Sequence, residues 1–244
     1  VAKLPGGRGH GEPIRMFIDM EQDAAIVSLF IAKGERKFLV ASSEGQGFIV
    51  EKLSGQPLDV FFRTRIFEPL GMKDTGFWVE PSKAGRVSKI FTYGPDKRIM
   101  TAPEQPGVTS KPVFLSGSGG LLSTTEDYYK FAQMLLNGGE ANGERFLKAS
   151  TVELMRTNVL HEGVKVDLYG PSQEGIGFGL DFAIVMDPAK ANTPQGKNSF
   201  YWGGAFGTNF WVDPKEDLVG VLMVQTPGGS LRADFQNAVM QAIV

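Results

Sequence analysis

Thr208 to Val212 and Leu218 to Gln225 are two runs of β-forming residues, and Asp213-Pro214-Lys215-Glu216-Asp217 between them has the composition of a turn. This pattern constrains the chain more than any other, because it places consecutive strands next to each other near the C-terminus. A further β-rich run, Leu180 to Met186, precedes them. Leu231 to Val244 follows with the spacing of an amphipathic helix, so the last third reads as a sheet closed by a helix. A second hairpin signal lies near the start. Ala25 to Ile31 and Lys37 to Ala41 are β-rich and flank Lys33-Gly34-Glu35-Arg36, a glycine-containing turn, giving an expected hairpin over Ala25–Ala41.

Between these regions the chain reads as helical. Gly47 to Leu53 and Leu58 to Phe67 are expected helices, separated by Ser54-Gly55-Gln56-Pro57. Ser123-Thr124-Thr125-Glu126 has the form of a capping box, with Ser123 as the cap and Glu126 reaching back. The helix it opens runs to Leu136, puts Phe131, Met134 and Leu135 on one face, and stops at Asn137-Gly138-Gly139. A shorter helix is expected near Thr151 to Thr157, and a short strand at Ile14 to Ile18. No internal repeat is present.

Composition narrows the function classes. The 244 residues, 42% of them hydrophobic, suffice for one large domain or two small ones with a buried core. A net charge of −2 gives no electrostatic pull toward nucleic acid. With no cysteine, disulfides and thiolate metal sites are excluded. No apolar run is long enough to cross a membrane, and neither a signal peptide nor a membrane association is expected, so the expected location is cytoplasmic.

Two family resemblances divide the chain. Gly6-Gly7-Arg8-Gly9-His10-Gly11-Glu12-Pro13 and Phe38-Leu39-Val40-Ala41-Ser42-Ser43-Glu44-Gly45-Gln46-Gly47-Phe48 resemble the C-terminal, DNA-wrapping domain of the topoisomerase IV A subunit. From Gly47 onward the chain resembles the serine β-lactamase, penicillin-binding protein and family VIII esterase superfamily. That likeness rests on Arg65-Ile66-Phe67-Glu68-Pro69-Leu70-Gly71-Met72-Lys73-Asp74-Thr75, on Ser118-Gly119-Gly120-Leu121-Leu122-Ser123-Thr124, on Trp202-Gly203-Gly204-Ala205-Phe206-Gly207-Thr208 and on Trp211-Val212-Asp213-Pro214. Residues 47–50 suit both families. The resemblances imply a chimera. A topoisomerase-like segment, 1–46, contributes the hairpin, and the C-terminal part of a β-lactamase-like domain, 47–244, merges with it into one domain. The implied fold class is α/β (α+β): an antiparallel sheet flanked by helices, in which the N-terminal hairpin replaces the family's missing first strands. An edge left unpaired would expose its backbone donors and acceptors.

The superfamily's chemistry implies a serine nucleophile with a lysine one helical turn later, a Tyr-x-Asn or Tyr-Ser element, and a Lys-Thr-Gly, His-x-Gly or Trp-Gly-Gly strand beside the oxyanion site. The 244 residues contain no Ser-x-x-Lys, Thr-x-x-Lys or Tyr-x-Asn. The third element is present as Trp202-Gly203-Gly204, so the implied remnant of a pocket is Tyr201, Trp202, Gly203 and Gly204. Ser116-Gly117-Ser118-Gly119-Gly120 lacks the first glycine of a nucleophile elbow and reads as a turn.

Two histidines offer a different chemistry. His10 lies near Glu12, and His161 near Glu162 and Asp167, so His161, His10, Glu162 and Asp167 are the candidate ligands of a divalent metal, Zn²⁺ or Mn²⁺. A metal could activate water with no serine at all. No organic cofactor is expected. The expected function is a low-efficiency, promiscuous hydrolase of activated carboxyl or phosphate esters, with a small-molecule ester as substrate. The alternatives are an inactive family remnant that folds and self-associates, and a nucleic-acid-associated module. Loss of half a domain exposes apolar surface, so a homo-oligomer is also expected.

Overall fold

In the computed structural model the described residues are 26–31, 38–42, 45–96, 98–102, 107–117, 119–164, 166 and 173–243, with the backbone alone for 26–31, 38–42 and 45–49. The expected strand at 14–18 lies outside them. The described residues fall into two units: one runs up to Phe62 and includes Pro112–Gly120, and the other comprises Arg63–Lys111 and the chain from Leu121 onward.

In the first unit, β1 (Ile26–Ile31) pairs antiparallel with β2 (Phe38–Ser42), Ile31 opposite Phe38, with one irregularity between Ile26 and Ser28. The hairpin expected from the sequence thus forms, as a two-stranded sheet of its own. Helix α1 (Gly45–Ser54) follows, and then α2 (Leu58–Phe62). The break between them falls at the expected Ser-Gly-Gln-Pro. Glu51 closes it, since its Oε1 accepts from the Leu58 amide at 2.8 Å at the start of α2, where helix donors lack intrahelical partners.

The second unit opens with a π-helical turn, Arg63–Phe67, and a short α3 (Glu68–Leu70). The expected helix at 58–67 is therefore α-helical only to Phe62. After α3 come a 3₁₀ turn (Pro81–Arg86), the small ribbon β3 (Phe91–Tyr93) with β4 (Ile99–Thr101), and α4 (Thr125–Leu136). The ribbon β5 (Glu140–Ala141) with β6 (Glu144–Arg145) leads to α5 (Ala149–Met155), two residues earlier than expected. The cap of α4 is shifted by one residue from the expected position. Thr124, not Ser123, is the cap: its backbone is extended and its hydroxyl accepts from the Asp127 amide at 3.2 Å. The Ser123 hydroxyl is instead bonded to that of Thr75 at 2.8 Å.

Asp127 explains why the Gly71–Thr75 turn has its sequence. Its carboxylate is almost fully buried and accepts from the Asp74 amide at 2.6 Å and the Thr75 hydroxyl at 3.0 Å, and Lys130 sits beside it at 3.4 Å. Lys130 also donates to the Gly71 carbonyl at 2.9 Å. The turn is thereby tied to α4 by a buried charge whose partners are all supplied.

The core is a five-stranded antiparallel sheet in the order β11-β10-β9-β8-β7, formed by β7 (Ile176–Phe178), β8 (Ala183–Val185), β9 (Phe200–Gly203), β10 (Asn209–Asp213) and β11 (Leu218–Leu222). A one-turn helix, α6 (Pro188–Ala191), joins β8 to β9, and α7 (Leu231–Gln241) closes the chain, three residues short of the expected end. The expected run 180–186 shortens to β8. β7 was not expected, because Gly175, Gly177 and Gly179 dilute its apolar pattern.

Alternation along β10 decides the layers. Phe210 points to one face and meets Tyr128 of α4 at 5.1 Å between ring centres, with Phe182 behind it at 5.9 Å. Burial pushes the Tyr128 phenol up to about 12. Trp211 points to the other face, is fully buried, and meets Phe235 of α7 edge-on at 5.5 Å. Its cross-strand partner is Gly220, where a Cβ would come within 2.2 Å of the indole ring. The sheet is thus sandwiched between α4 and α7.

Candidate functional site

The strand carrying the Trp-Gly-Gly element is β9, held on both sides along its first half. Phe200 and Tyr201 pair with Ile184 and Ala183 of β8, and Phe200 to Gly203 pair with Val212 back to Asn209 of β10. Beyond Tyr201, β8 no longer runs alongside, and this leaves the end of β9 open. Gly203 and Gly204 are exposed there. A Cβ on Gly204 would meet the Thr208 hydroxyl at 2.2 Å, so only glycine lets the chain turn this tightly into β10.

The turn itself is well determined. The Gly204 amide donates to Thr208 O at 2.8 Å and the Gly207 amide to Gly204 O at 3.0 Å. Asn209 braces it from below, donating to Trp202 O at 2.9 Å while its Oδ1 accepts from Gln236 of α7 at 3.3 Å. The two intervening amides, of Ala205 and Phe206, have no hydrogen-bond partner among the described residues. A pair of N–H groups without partners among the described residues, beside exposed glycines, offers a donor set for a developing negative charge.

One carboxyl lies next to this end and was not singled out from the sequence. Residues 179–182 join β7 to β8, closed by the Gly179 amide donating to Phe182 O at 2.8 Å. Because Ala183 sits opposite Tyr201, this turn runs beside the Trp202 end of β9, and Phe178 meets the Trp202 ring edge-on at 5.2 Å. Asp181 in this turn is exposed as a whole, and partial desolvation of its carboxyl raises it from its ordinary value. No spacing in the sequence signals this, since the desolvation arises only when the β7–β8 hairpin closes beside β9.

The four residues of the expected pocket strand are Tyr201 to Gly203 of β9 and Gly204 just beyond it. Tyr201 and Trp202 both pack against the cluster of Ile176, Ala183 and Val185, and Tyr201 also lines a cleft with Arg232 of α7, which partly offsets the upward push that burial gives its phenol. Of the expected metal ligands, His161 and Glu162 lie among the described residues. His161 and Glu162 are exposed neighbours in a turn closed by the Val164 amide on His161 O at 3.1 Å. His10 and Asp167 lie outside the described residues, as does Ser118. Among the described residues no three His, Asp or Glu side chains converge on a point that could hold a metal ion.

An antiparallel sheet between two helical layers, with a Trp-Gly-Gly strand at its centre, defines a β-lactamase-like α/β fold, and similarity to known proteins agrees. Residues 40–243 match the Beta-lactamase family, and the chain belongs to that family. Protein Rv1367c of Mycobacterium tuberculosis is 34% identical over 206 residues, which cover 82% of this chain and 51% of the relative. Esterase EstB of Burkholderia gladioli is 26% identical over 214 residues, covering 81% and 51%. The solved structure of EstCE1, described as a hydrolase with promiscuous acyltransferase activity, superimposes with a TM-score of 0.64 at 22% identity, over 80% of this chain and 53% of that one. The chain therefore spans about half the length of the relatives it matches. A short stretch has a different likeness: 48 residues, 20% of the chain, are 46% identical to the DNA topoisomerase 4 A-type polypeptide of Caulobacter vibrioides and cover 6% of it.

Proposed function

We propose that this chain is a low-efficiency, promiscuous hydrolase of activated esters, carboxyl or phosphate, including phosphotriesters, that does not use a Ser-Lys pair. The observation that carries the proposal is the open end of β9, where the Ala205 and Phe206 amides stand free beside exposed Gly203 and Gly204. Those amides bind the oxygen on which charge develops. Water adds to the ester carbon or phosphorus, the bond to the leaving oxygen breaks, and the water's proton passes by way of a base to that oxygen. Asp181 is the carboxylate beside this end, and its raised value suits it to the role. The names of relatives such as Esterase EstB support the substrate class.

A metal route is the second form of this reading, favoured by the adjacent His161 and Glu162. His10 and Asp167 would complete the ligand set, and Zn²⁺ or Mn²⁺ would lower the pKa of the bound water. We also propose that residues 1–46 and 47–244 descend from different ancestors, a reading supported by a 48-residue likeness to a topoisomerase in a chain whose residues 40–243 match the Beta-lactamase family. In that view the β1–β2 hairpin stands in for the family's first strands. The absence of Ser-x-x-Lys favours the alternative, an inactive remnant.

Hydrolysis of an aryl ester and an aryl phosphotriester, before and after chelation, with elemental analysis of the same sample, separates these readings. Turnover that survives EDTA and falls about 100-fold in Asp181→Asn supports the metal-free route. Stoichiometric metal, with activity abolished by EDTA and in both His161→Ala and His10→Ala, supports the metal route. No turnover of either substrate leaves the inactive remnant.

A further inference from the structure

A cleft of about 850 Å³ in the second unit lies on the α7 face of the sheet, and the open end of β9 has no part in it. The loop from α6 to β9 forms one wall, through Lys190 and Thr193 to Gln195. The first turns of α7 form the other, through Arg232 and Gln236, and Tyr201 rises between them. A cleft of this size accommodates a small organic molecule.

Gln195 is the unusual residue in it. It is only 3% exposed although it lines the cleft, and its side-chain Nε2 has no hydrogen-bond partner among the described residues. The rest of the amide is fixed. The Thr193 hydroxyl accepts from the Gln195 amide at 3.4 Å, which leaves its own hydrogen to donate to Gln195 Oε1 at 3.3 Å. The NH₂ is then the end left over. A buried donor without a partner is a standing cost to the fold, and one held on a rigid loop is a feature that a ligand would complete. The loop is held rigid by Asp213, whose carboxylate accepts from the Gly196 amide at 3.0 Å and the Ser199 hydroxyl at 2.8 Å.

The other polar groups of the cleft agree on the sign of that ligand. Arg232 carries no ion pair among the described residues, and Lys190 has only Asp187 at 3.9 Å. With Glu174 as the one acidic lining residue, the two cations leave the cleft net positive in a chain of net charge −2. The Tyr201 hydroxyl, now donating to Gln173 Oε1 at a long 3.3 Å, is free to turn to a better acceptor. Donors and cations outnumber acceptors around an orphaned buried NH₂.

We infer that this cleft is a binding site for a small organic anion, a carboxylate or a phosphate, held by Arg232 at the mouth, Gln195 Nε2 at the base and the Tyr201 hydroxyl between them. The site is separate from the open end of β9, so it stands whether or not that end hydrolyses esters.

The test is isothermal titration of the purified 244-residue chain at low salt with sodium benzoate, with inorganic phosphate, and with benzyl alcohol as the uncharged control. Saturable binding of benzoate or phosphate, none of benzyl alcohol, and about tenfold weakening in Arg232→Gln are expected, and which anion binds identifies the chemistry. Gln195→Leu adds a readout independent of affinity. If the NH₂ is there for a ligand, this variant loses binding but unfolds about 2–4 °C higher, because the orphaned donor is gone. Absence of saturable binding by both anions, unchanged affinity in Arg232→Gln, or a lower melting temperature in Gln195→Leu would each overturn the inference.

Discussion

Asp213 shows how one side chain can hold together parts distant in sequence. It is fully buried, and besides the Gly196 amide and the Ser199 hydroxyl its carboxylate accepts from the Lys215 amide at 3.0 Å and the Glu216 amide at 3.3 Å. Four donors lose their acceptor if it is removed, so Asp213→Ala should cost about 3–5 kcal/mol, measured as the shift in a guanidinium unfolding curve. The sequence marked Asp213 as a turn residue and as part of a family motif, with no role for its carboxylate. Its local partners, 215 and 216, were readable from the turn, but its bonds to 196 and 199 depend on sheet pairing that no short-range pattern encodes. Asp74 behaves differently. Lys83 at 2.5 Å, and then Arg86 at 2.7 Å, hold its carboxyl below the ordinary value of 3.8. Because the folded value is the lower one, the stabilisation is present above the unfolded value and is lost as pH falls through the folded value. Asp74→Asn should leave stability unchanged at the acid end and lower it slightly at pH 7. The loss should shrink in salt, because these groups are partly exposed.

Among the elements, α4 and the β10–β11 pair are the ones whose sequence and structure can be compared most directly. The helix was legible from its periodicity and its Asn-Gly-Gly stop. The cap was displaced by one residue because Thr75, remote in sequence, engages Ser123. Thr124→Ala should therefore cost about 1 kcal/mol, and more than Ser123→Ala, in thermal unfolding followed by circular dichroism. A larger loss from Ser123→Ala would reinstate the capping box read from the sequence. The β10–β11 hairpin was legible too, down to its turn. What was not legible is that Gly220 must stay small under the Trp211 ring, a close approach visible only once the register is known. Gly220→Ala should cost about 1–3 kcal/mol by overpacking, read from the same denaturation curves.

At the scale of the molecule, the Beta-lactamase family and the sandwich of helices around an antiparallel sheet were legible in a few motifs spread along the last 180 residues. The candidate chemistry was not, because these 244 residues hold no Ser-x-x-Lys and the groups proposed in its place are backbone amides and a carboxyl that no short-range pattern marks. The outer strand β11 carries Leu218, Val219, Val221 and Leu222 at one edge of the five-stranded sheet, and Leu53 of the first unit is 85% exposed. Such edges and patches favour self-association. We therefore expect a homo-oligomer, and a mass above that of one 26.5 kDa chain in light scattering at micromolar concentration. A monomer mass there would remove that expectation.

Trp211 gives the protein an optical reporter of its own. Of the three tryptophans, it is fully buried, its indole N–H has no hydrogen-bond partner among the described residues, and its ring rests against Phe235. An indole in so apolar a setting emits toward the blue and is shielded from dissolved quenchers. Its colour and its accessibility to iodide therefore follow whether α7 is seated on the sheet, and detachment of the last helix can be timed separately from unfolding of the strands beneath it.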